Sequence, residues 1–140
     1  MSSWLLDTGP IVAYLDSTDP YHEVVAGRLE GFAGRLITSC AVVTEAMHFV
    51  AETPSGPQLL ADFLASSGAR IYDLAQPAEL RDAVQLMARY ADTPMDYADA
   101  TLVLLADALA IGDILTLDWR GFSTYRTSSR RRLRLMLDAP

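Results

Sequence analysis

Trp4-Leu5-Leu6-Asp7-Thr8-Gly9-Pro10 is the stretch on which the fold turns. Three consecutive apolar residues read as a buried strand, and an acid closes it. Thr8-Gly9 reads as a turn, and Pro10 suits the opening turn of a helix. The same punctuation recurs downstream. A strand over 35–38 is followed by Thr38 or Ser39 as a cap and a helix through Val43, Met47 and Val50. Helices are expected over 22–32 and 58–65, and a third strand over 69–74. An amphipathic helix over 77–90 carries Leu80, Val84 and Met87 on one face. Thr93-Pro94 opens another helix through Leu102, Leu105 and Leu109, stopped by Gly112. Ile114-Leu115-Thr116-Leu117 is a fourth strand ending at Asp118, and Leu133, Leu135 and Leu137 form a last strand or helix. Strands alternating with helices give an α/β fold with a parallel sheet of four or five strands and right-handed crossovers. Ligands of such sheets sit at the carboxyl ends of the strands. Asp7 and Asp118 fall at two of those ends.

The 140 residues suit a single domain spanning 1–140, without repeats or a dividing linker. A chain that is 51% hydrophobic and 21% charged is not disordered. One cysteine, Cys40, excludes a disulfide scaffold and a Cys-based zinc site, and it fits a reducing compartment. Cys40 itself reads as a small apolar core residue. The longest apolar run, near 102–106, is far below the ~20 residues of a membrane span. The first residues lack the basic segment of a signal peptide. A cytoplasmic protein without a membrane partner is expected. The charge is uneven. Residues 1–118 carry 5 Arg against 17 acids, whereas 119–140 carry 6 Arg against 1 acid, and there is no lysine at all. An acidic body suggests a cation site, and a basic tail over about 126–140 suggests contact with phosphates or an acidic partner.

Five acids stand out. Asp96 and Asp99 are three apart, so a helix puts them on one face near its positive end. Glu45 lies in the apolar Val42-Val43-Thr44-Glu45-Ala46-Met47, where a charge costs free energy unless it is paired or binds a metal. With Asp7 and Asp118 these acids occupy strand ends or inward-looking helix positions. Gathered together they would need a counter-cation, and oxygen-only ligands select Mg²⁺ or Mn²⁺. Each acid also has a structural reading: Asp7 and Asp118 as turn residues, Asp96 as a helix cap, Asp99 as a dipole partner, Glu45 as half of an arginine pair.

These segments resemble the motifs of PIN-domain ribonucleases, most of all the VapC-type toxins of bacterial toxin–antitoxin pairs. The resemblance rests on Leu5-Leu6-Asp7-Thr8-Gly9-Pro10, Thr44-Glu45-Ala46, the run from Tyr90 through Met95-Asp96-Tyr97-Ala98-Asp99-Ala100, and Leu115-Thr116-Leu117-Asp118-Trp119-Arg120-Gly121-Phe122. It covers roughly residues 3–126. It implies a three-layer α/β/α fold and Mg²⁺- or Mn²⁺-dependent endonucleolytic cleavage of RNA, leaving a 5′-phosphate. It implies Asp7, Glu45 and Asp99 as metal-binding acids, Asp96 as an extra acid one turn earlier, and Asp118 as the last acid. Thr8 and Thr116 match hydroxyl positions beside the acids, and Arg120 is the arginine nearest to them for meeting substrate. A cognate antitoxin and a homodimer are the implied partners, with an apolar face around Leu59-Leu60 and Leu64 as the dimer surface.

The Arg-rich stretch after Tyr125 lies outside that motif set. Arg126, Arg130, Arg131, Arg132 and Arg134 read either as an RNA-phosphate contact or as a solvated, frayed tail. His22 and His48 are too few and too scattered for a triad, although His48 lies one turn after Glu45. A phosphoaspartate enzyme is disfavoured by the missing lysine, and no phosphate-binding Gly-x-x-x-x-Gly-Lys occurs. The remaining alternative is a catalytically weak module that only engages RNA or a partner protein.

Overall fold

The computed structural model describes residues 1–139. The chain runs β1 (Ser3–Leu6), α1 (Thr8–Leu15), α2 (His22–Glu30), β2 (Arg35–Ser39), α3 (Cys40–Val50), α4 (Gly56–Ser66), β3 (Arg70–Tyr72), α5 (Pro77–Arg89), α6 (Tyr97–Leu109), β4 (Asp113–Leu115), α7 (Trp119–Thr124) and β5 (Arg134–Leu135). The strands form one sheet in the order β3-β2-β1-β4-β5, and every pairing is parallel. The chain winds outward from β1 to β2 and β3, then crosses back to place β4 on the other side of β1. The reversal opens a crevice at the carboxyl ends of β1 and β4. Helices flank the sheet in the three-layer α/β/α arrangement.

Burial follows the sequence pattern of a parallel sheet. Leu5, Leu6, Ile114 and Leu115 on the two central strands are fully buried, packed with Ile11, Val42, Leu60, Leu102 and Leu105 from the helices. Each such side chain contributes roughly 1.5–3 kcal/mol on leaving water. Polar groups beneath the sheet's carboxyl edge pair with one another. Thr38 Oγ1 donates to the Leu6 carbonyl at 2.7 Å, Ser39 Oγ shares a hydrogen bond with Thr101 Oγ1 at 2.8 Å, and Ser39 also caps α3.

Several boundaries differ from the sequence expectation, each for a local reason. Helix α6 begins at Tyr97 rather than at Thr93, because Asp96 is its cap and forms a reciprocal capping box with Asp99. It ends on Ala110, held in the left-handed region at φ 52°, two residues before Gly112. Strand β4 stops at Leu115, and Thr116 turns its hydroxyl to Asp7 instead. Helix α7 was hidden by its six-residue length, too short to show periodicity. Helix α5 buries Ala83 and Leu86 against α6, so Leu80 and Val84 lie on the surface, Val84 at 62% exposure. Leu60 and Leu64 are in the core and leave only Leu59 of that trio outside, so the expected dimer face around them does not exist as drawn. Cys40 is exposed on the first turn of α3, not a core residue.

The C-terminal segment is docked rather than frayed. Arg126 and Arg132 form an antiparallel bridge, and the Ser128 N–H and hydroxyl donate to the Asp107 carboxylate at 2.8 and 3.0 Å. Arg134 pairs with Asp113 at 3.0 Å, and Leu133 and Leu137 are buried. Trp119 Nε1 donates to the Leu137 carbonyl. Among the described residues, no helix is long and apolar enough to cross a membrane.

Candidate active site

The crevice at the reversal of strand order is a cleft of about 450 Å³. Asp7, Glu45, Asp96, Asp99 and Asp118 all line it, and among the described residues no basic side chain does. Four separate stretches of chain deliver these acids: the end of β1, the middle of α3, the start of α6, and the turn after β4. The structural and chemical readings of the acids prove compatible. Asp7, Asp96 and Asp118 are the caps of α1, α6 and α7. A cap uses one carboxylate oxygen to accept a backbone N–H and leaves the other for further work.

Asp7 is the most enclosed, only 7% exposed. Its Oδ1 accepts from the Thr8 N–H at 2.8 Å and its Oδ2 from the Thr116 hydroxyl at 2.7 Å. Burial pushes its carboxyl up to about 6, against the lowering effect of those two hydrogen bonds; the charges of Glu45 and Asp118 add to the rise. Asp99 Oδ2 accepts from the Asp96 N–H at 3.1 Å, and Asp96 Oδ1 accepts from the Asp99 N–H at 2.8 Å. Asp99 is raised further, to about 8, first by burial and then by the charges of Asp7 and Asp96. The two carboxylates therefore feel each other across the cleft. Asp118 Oδ1 accepts from the Gly121 N–H at 3.0 Å. Gly121 has no room for a side chain, since a Cβ there would run into Asp118 Oδ2 and crowd the Tyr125 hydroxyl. Tyr125 is fully buried, and its hydroxyl donates to the Pro94 carbonyl at 2.7 Å. Burial raises its phenol, and the surrounding carboxylates raise it further.

The hydroxyls divide. Thr116 is spent inside the protein: it donates to Asp7 and accepts from the Asp118 N–H at 3.0 Å, so it sets two acids rather than meeting a substrate. Thr8 lines the cleft, and its buried Oγ1 has no hydrogen-bond partner. A buried hydroxyl left alone costs about 1–3 kcal/mol, so this one marks a place for water or ligand. Arg120 is exposed on α7 and does not line the cleft. His48 is exposed and packs edge-on against Phe49, with centroids 5.9 Å apart, rather than orienting Glu45. Two lining residues had no sequence signal. Asp19 sits in the loop after α1, its Oδ1 accepting from the Tyr21 N–H, and Phe49 shows a 59% exposed ring at the rim.

The donor set is all oxygen, it carries mutual repulsion, and no cation offsets it. It therefore fits a hard divalent ion. Among the described residues no three of these groups already close on one point, so the acids frame the cleft rather than form a finished cage.

Residues 4–127 match the PIN domain family. The chain belongs to that family. Ribonuclease VapC26 of Mycobacterium tuberculosis (strain ATCC 25618 / H37Rv) is 34% identical over 124 residues, which cover 87% of this chain and 91% of that protein. Two solved structures share the fold at 17% identity. Mycobacterium tuberculosis VapC20, described as a sarcin-ricin loop cleaving toxin, superposes with a TM-score of 0.75 over 84% of this chain and 91% of its own. The DNA-bound VapBC of Salmonella typhimurium superposes at 0.65 over 96% of this chain and 97% of its own. The PIN match begins on β1 and ends at Thr127, so it contains all five acids and excludes most of the arginine-rich tail.

Proposed function

We propose that this PIN domain is a Mg²⁺- or Mn²⁺-dependent endoribonuclease and the toxin of a toxin–antitoxin pair. One observation carries the proposal: six carboxylates, the five singled out in the sequence and Asp19, face a single cleft from five stretches of chain, with no basic side chain among the described lining residues. The ribonuclease relative, which this chain matches over most of its length, supports RNA as the substrate.

Asp7, Asp99 and Glu45 would hold the ion, with Asp96 and Asp118 acting through water. Bound there, a divalent ion supplies charge stabilisation to the scissile phosphate and activation of the attacking water. The chain's own groups do the rest. The hydrogen bonds from the Thr8 N–H and the Thr116 hydroxyl fix Asp7, so its orientation is set before substrate arrives. The capping box fixes Asp96 and Asp99 against each other and leaves Asp99 Oδ1 unbonded by it. Glu45 reaches the cleft from the opposite helix and can accept a proton from water entering there. Thr8 Oγ1, lacking a protein partner, is free to orient that water. The N-termini of α1 and α6 lie at the cleft and add partial positive charge beside its acids.

A cognate antitoxin is the second part of the reading, supported by the VapBC neighbour. A homodimer is the third, and the exposed Leu80 and Val84 on α5 are among the apolar positions it could cover. The test of the whole is cleavage of a labelled single-stranded RNA with Mn²⁺ and with EDTA. Cleavage in Mn²⁺ that EDTA abolishes is expected. RNA binding without cleavage in either condition would favour a catalytically silent binding module instead.

A further inference from the structure

The acid cleft poses a problem that the cleft itself does not solve. Every carboxylate in it repels a polyanion, and the protein as a whole carries a net charge of −7. A bound ion offsets this locally, at one phosphate. The phosphates on either side of the scissile one still need a cation to lie against. With no lysine in the sequence, a permanently charged side chain for that role can only be an arginine.

A second concavity, of about 510 Å³, meets that need. Its lining consists of Arg89, Tyr90, Arg126, Thr127, Ser128 and Arg130, with no acid among them. Arg89 comes from the last turn of α5, and the other two arginines come from the docked tail, about forty residues further along the chain. The turn that presents Arg130 is built, not loose. Arg130 sits in the left-handed region at φ 62°, a conformation a non-glycine residue holds only when its surroundings impose it. Its N–H donates to the Thr127 carbonyl at 2.8 Å, the Arg131 N–H to Thr127 Oγ1 at 3.1 Å, and the Thr127 N–H to the Arg131 carbonyl at 3.1 Å. Ser128 pins the turn to Asp107 on α6 through two hydrogen bonds. Arg126 spends one guanidinium nitrogen on the Ser123, Thr124 and Tyr125 carbonyls at the end of α7, which fixes the plane of its fork.

The pocket is also tied to the cleft. The Tyr90 and Tyr125 rings meet edge-on with centroids 5.0 Å apart. On one side, Tyr90 Oη accepts the Arg126 N–H at 2.9 Å. On the other, the Tyr125 hydroxyl donates to Pro94, two residues before Asp96, and lies in the field of Asp96, Asp99, Asp118 and Asp7. From Asp99 to Asp107, where the turn is pinned, α6 advances about 12 Å at 1.5 Å per residue. A few linked nucleotides span that distance.

We infer that the pocket of Arg89, Arg126 and Arg130 is a phosphate-binding subsite that holds the RNA backbone a few nucleotides from the acid cleft. The inference rests on the ribonuclease reading and adds a second point of grip to it. Arginine suits the task, because its charge is permanent and its fork matches phosphate oxygens. An RNA strand satisfies both sites at once, with one phosphate in the cleft and a neighbour in the pocket. A separate acidic peptide would explain the pocket but not its link to the cleft.

The test measures affinity of the full chain for a fluorescein-labelled single-stranded 12-mer RNA by anisotropy in EDTA, across a salt series. Arg89→Gln/Arg130→Gln is compared with the charge-matched control Arg70→Gln/Arg81→Gln, whose positions lie outside the pocket. Losing two phosphate contacts should flatten the slope of log K against log [salt] by about 1.4 and weaken binding near physiological salt by about tenfold. The control should hold the wild-type slope. Arg89→Gln alone, on a helix and away from the left-handed turn, should flatten the slope by about 0.7 and keeps the test sound if the double variant loosens the tail. Wild-type slope and affinity in the pocket variants, in a protein that cleaves RNA, would overturn the subsite and leave the nuclease reading standing. Binding of a Glu-rich peptide that the pocket variants lose, with RNA affinity unchanged, would overturn it in favour of an acidic protein partner. A wild-type protein that neither binds nor cleaves RNA would overturn the nuclease reading itself.

Discussion

The acid cleft and the C-terminal tail are both crowded with like charge, yet the fold treats them in opposite ways. In the cleft, Asp7, Asp96, Asp99 and Asp118 are held by backbone N–H groups and one buried threonine hydroxyl, and no cation among the described residues relieves them. Asp7 and Asp99 are left with carboxyls raised to about 6 and about 8. In the tail, the arginines point outward, and the segment is tied down by acids of the body, Asp107 and Asp113. The cleft therefore stores electrostatic cost, while the tail is relaxed by local complementarity. A protein keeps such a cost only where something else binds to remove it. The contrast makes the cleft the place for a cation and the tail a place where an anion can be met.

The contrast breaks most sharply at Asp7. Asp7→Asn keeps the shape of the cap and removes the charge. RNA cleavage in Mn²⁺ should fall by about 10²-fold or more, with circular dichroism unchanged. Next comes Gly121→Ala, which leaves every acid in place but forces the Asp118 carboxylate and the Tyr125 hydroxyl apart. A loss of about 1–3 kcal/mol in urea unfolding is expected, as for other overpacked sites, together with a fall in cleavage. The cost stored in the cleft should also be visible as pH dependence. A carboxyl raised in the folded state binds more protons there than in the unfolded chain, so its stabilising contribution is complete below about 3.8 and is lost as pH rises through the folded value. In EDTA, the melting temperature should fall between pH 5 and pH 8. Asp99→Asn should flatten the upper part of that fall, and saturating Mn²⁺ should flatten all of it. The tail sharpens the comparison from the other side. Asp107→Ala removes the two hydrogen bonds that pin Ser128 and should cost about 1 kcal/mol in urea unfolding, with RNA cleavage retained.

Much of this was legible in the residues. The apolar runs ending in Asp7 and Asp118 announce a parallel sheet with acids at its carboxyl edge, and the five acids line one cleft. For Asp96 the sequence offers a cap and a site residue; the structure shows the cap, which occupies one oxygen and leaves the other toward the cleft. Features set by tertiary contact were not legible. The exposure of Leu80 and Val84 depends on which face of α5 meets α6, and periodicity alone does not choose between a stripe centred on Leu80 and one centred on Ala83. Leu60 and Leu64 looked like surface residues for the same reason. The turn at Ala110 carries no glycine to betray it. Asp19 and Phe49 join the cleft only because their loop and helix end happen to border it. The tail's order comes from Asp107 and Asp113, each 21 residues upstream of the tail residue it holds, Ser128 and Arg134. The commitment of Thr116 to Asp7 spans 109 residues and could not be read from either segment.

Calorimetric titration of Mn²⁺ into the metal-free protein at pH 7 tests the central claim most directly. Because Asp99 holds its proton up to about 8, binding should displace it, and the measured heat should change with the ionisation enthalpy of the buffer. A saturable, buffer-dependent binding event that disappears in Asp99→Asn is the predicted result. No heat of binding at millimolar Mn²⁺, or an isotherm that Asp99→Asn leaves unchanged, would contradict the account.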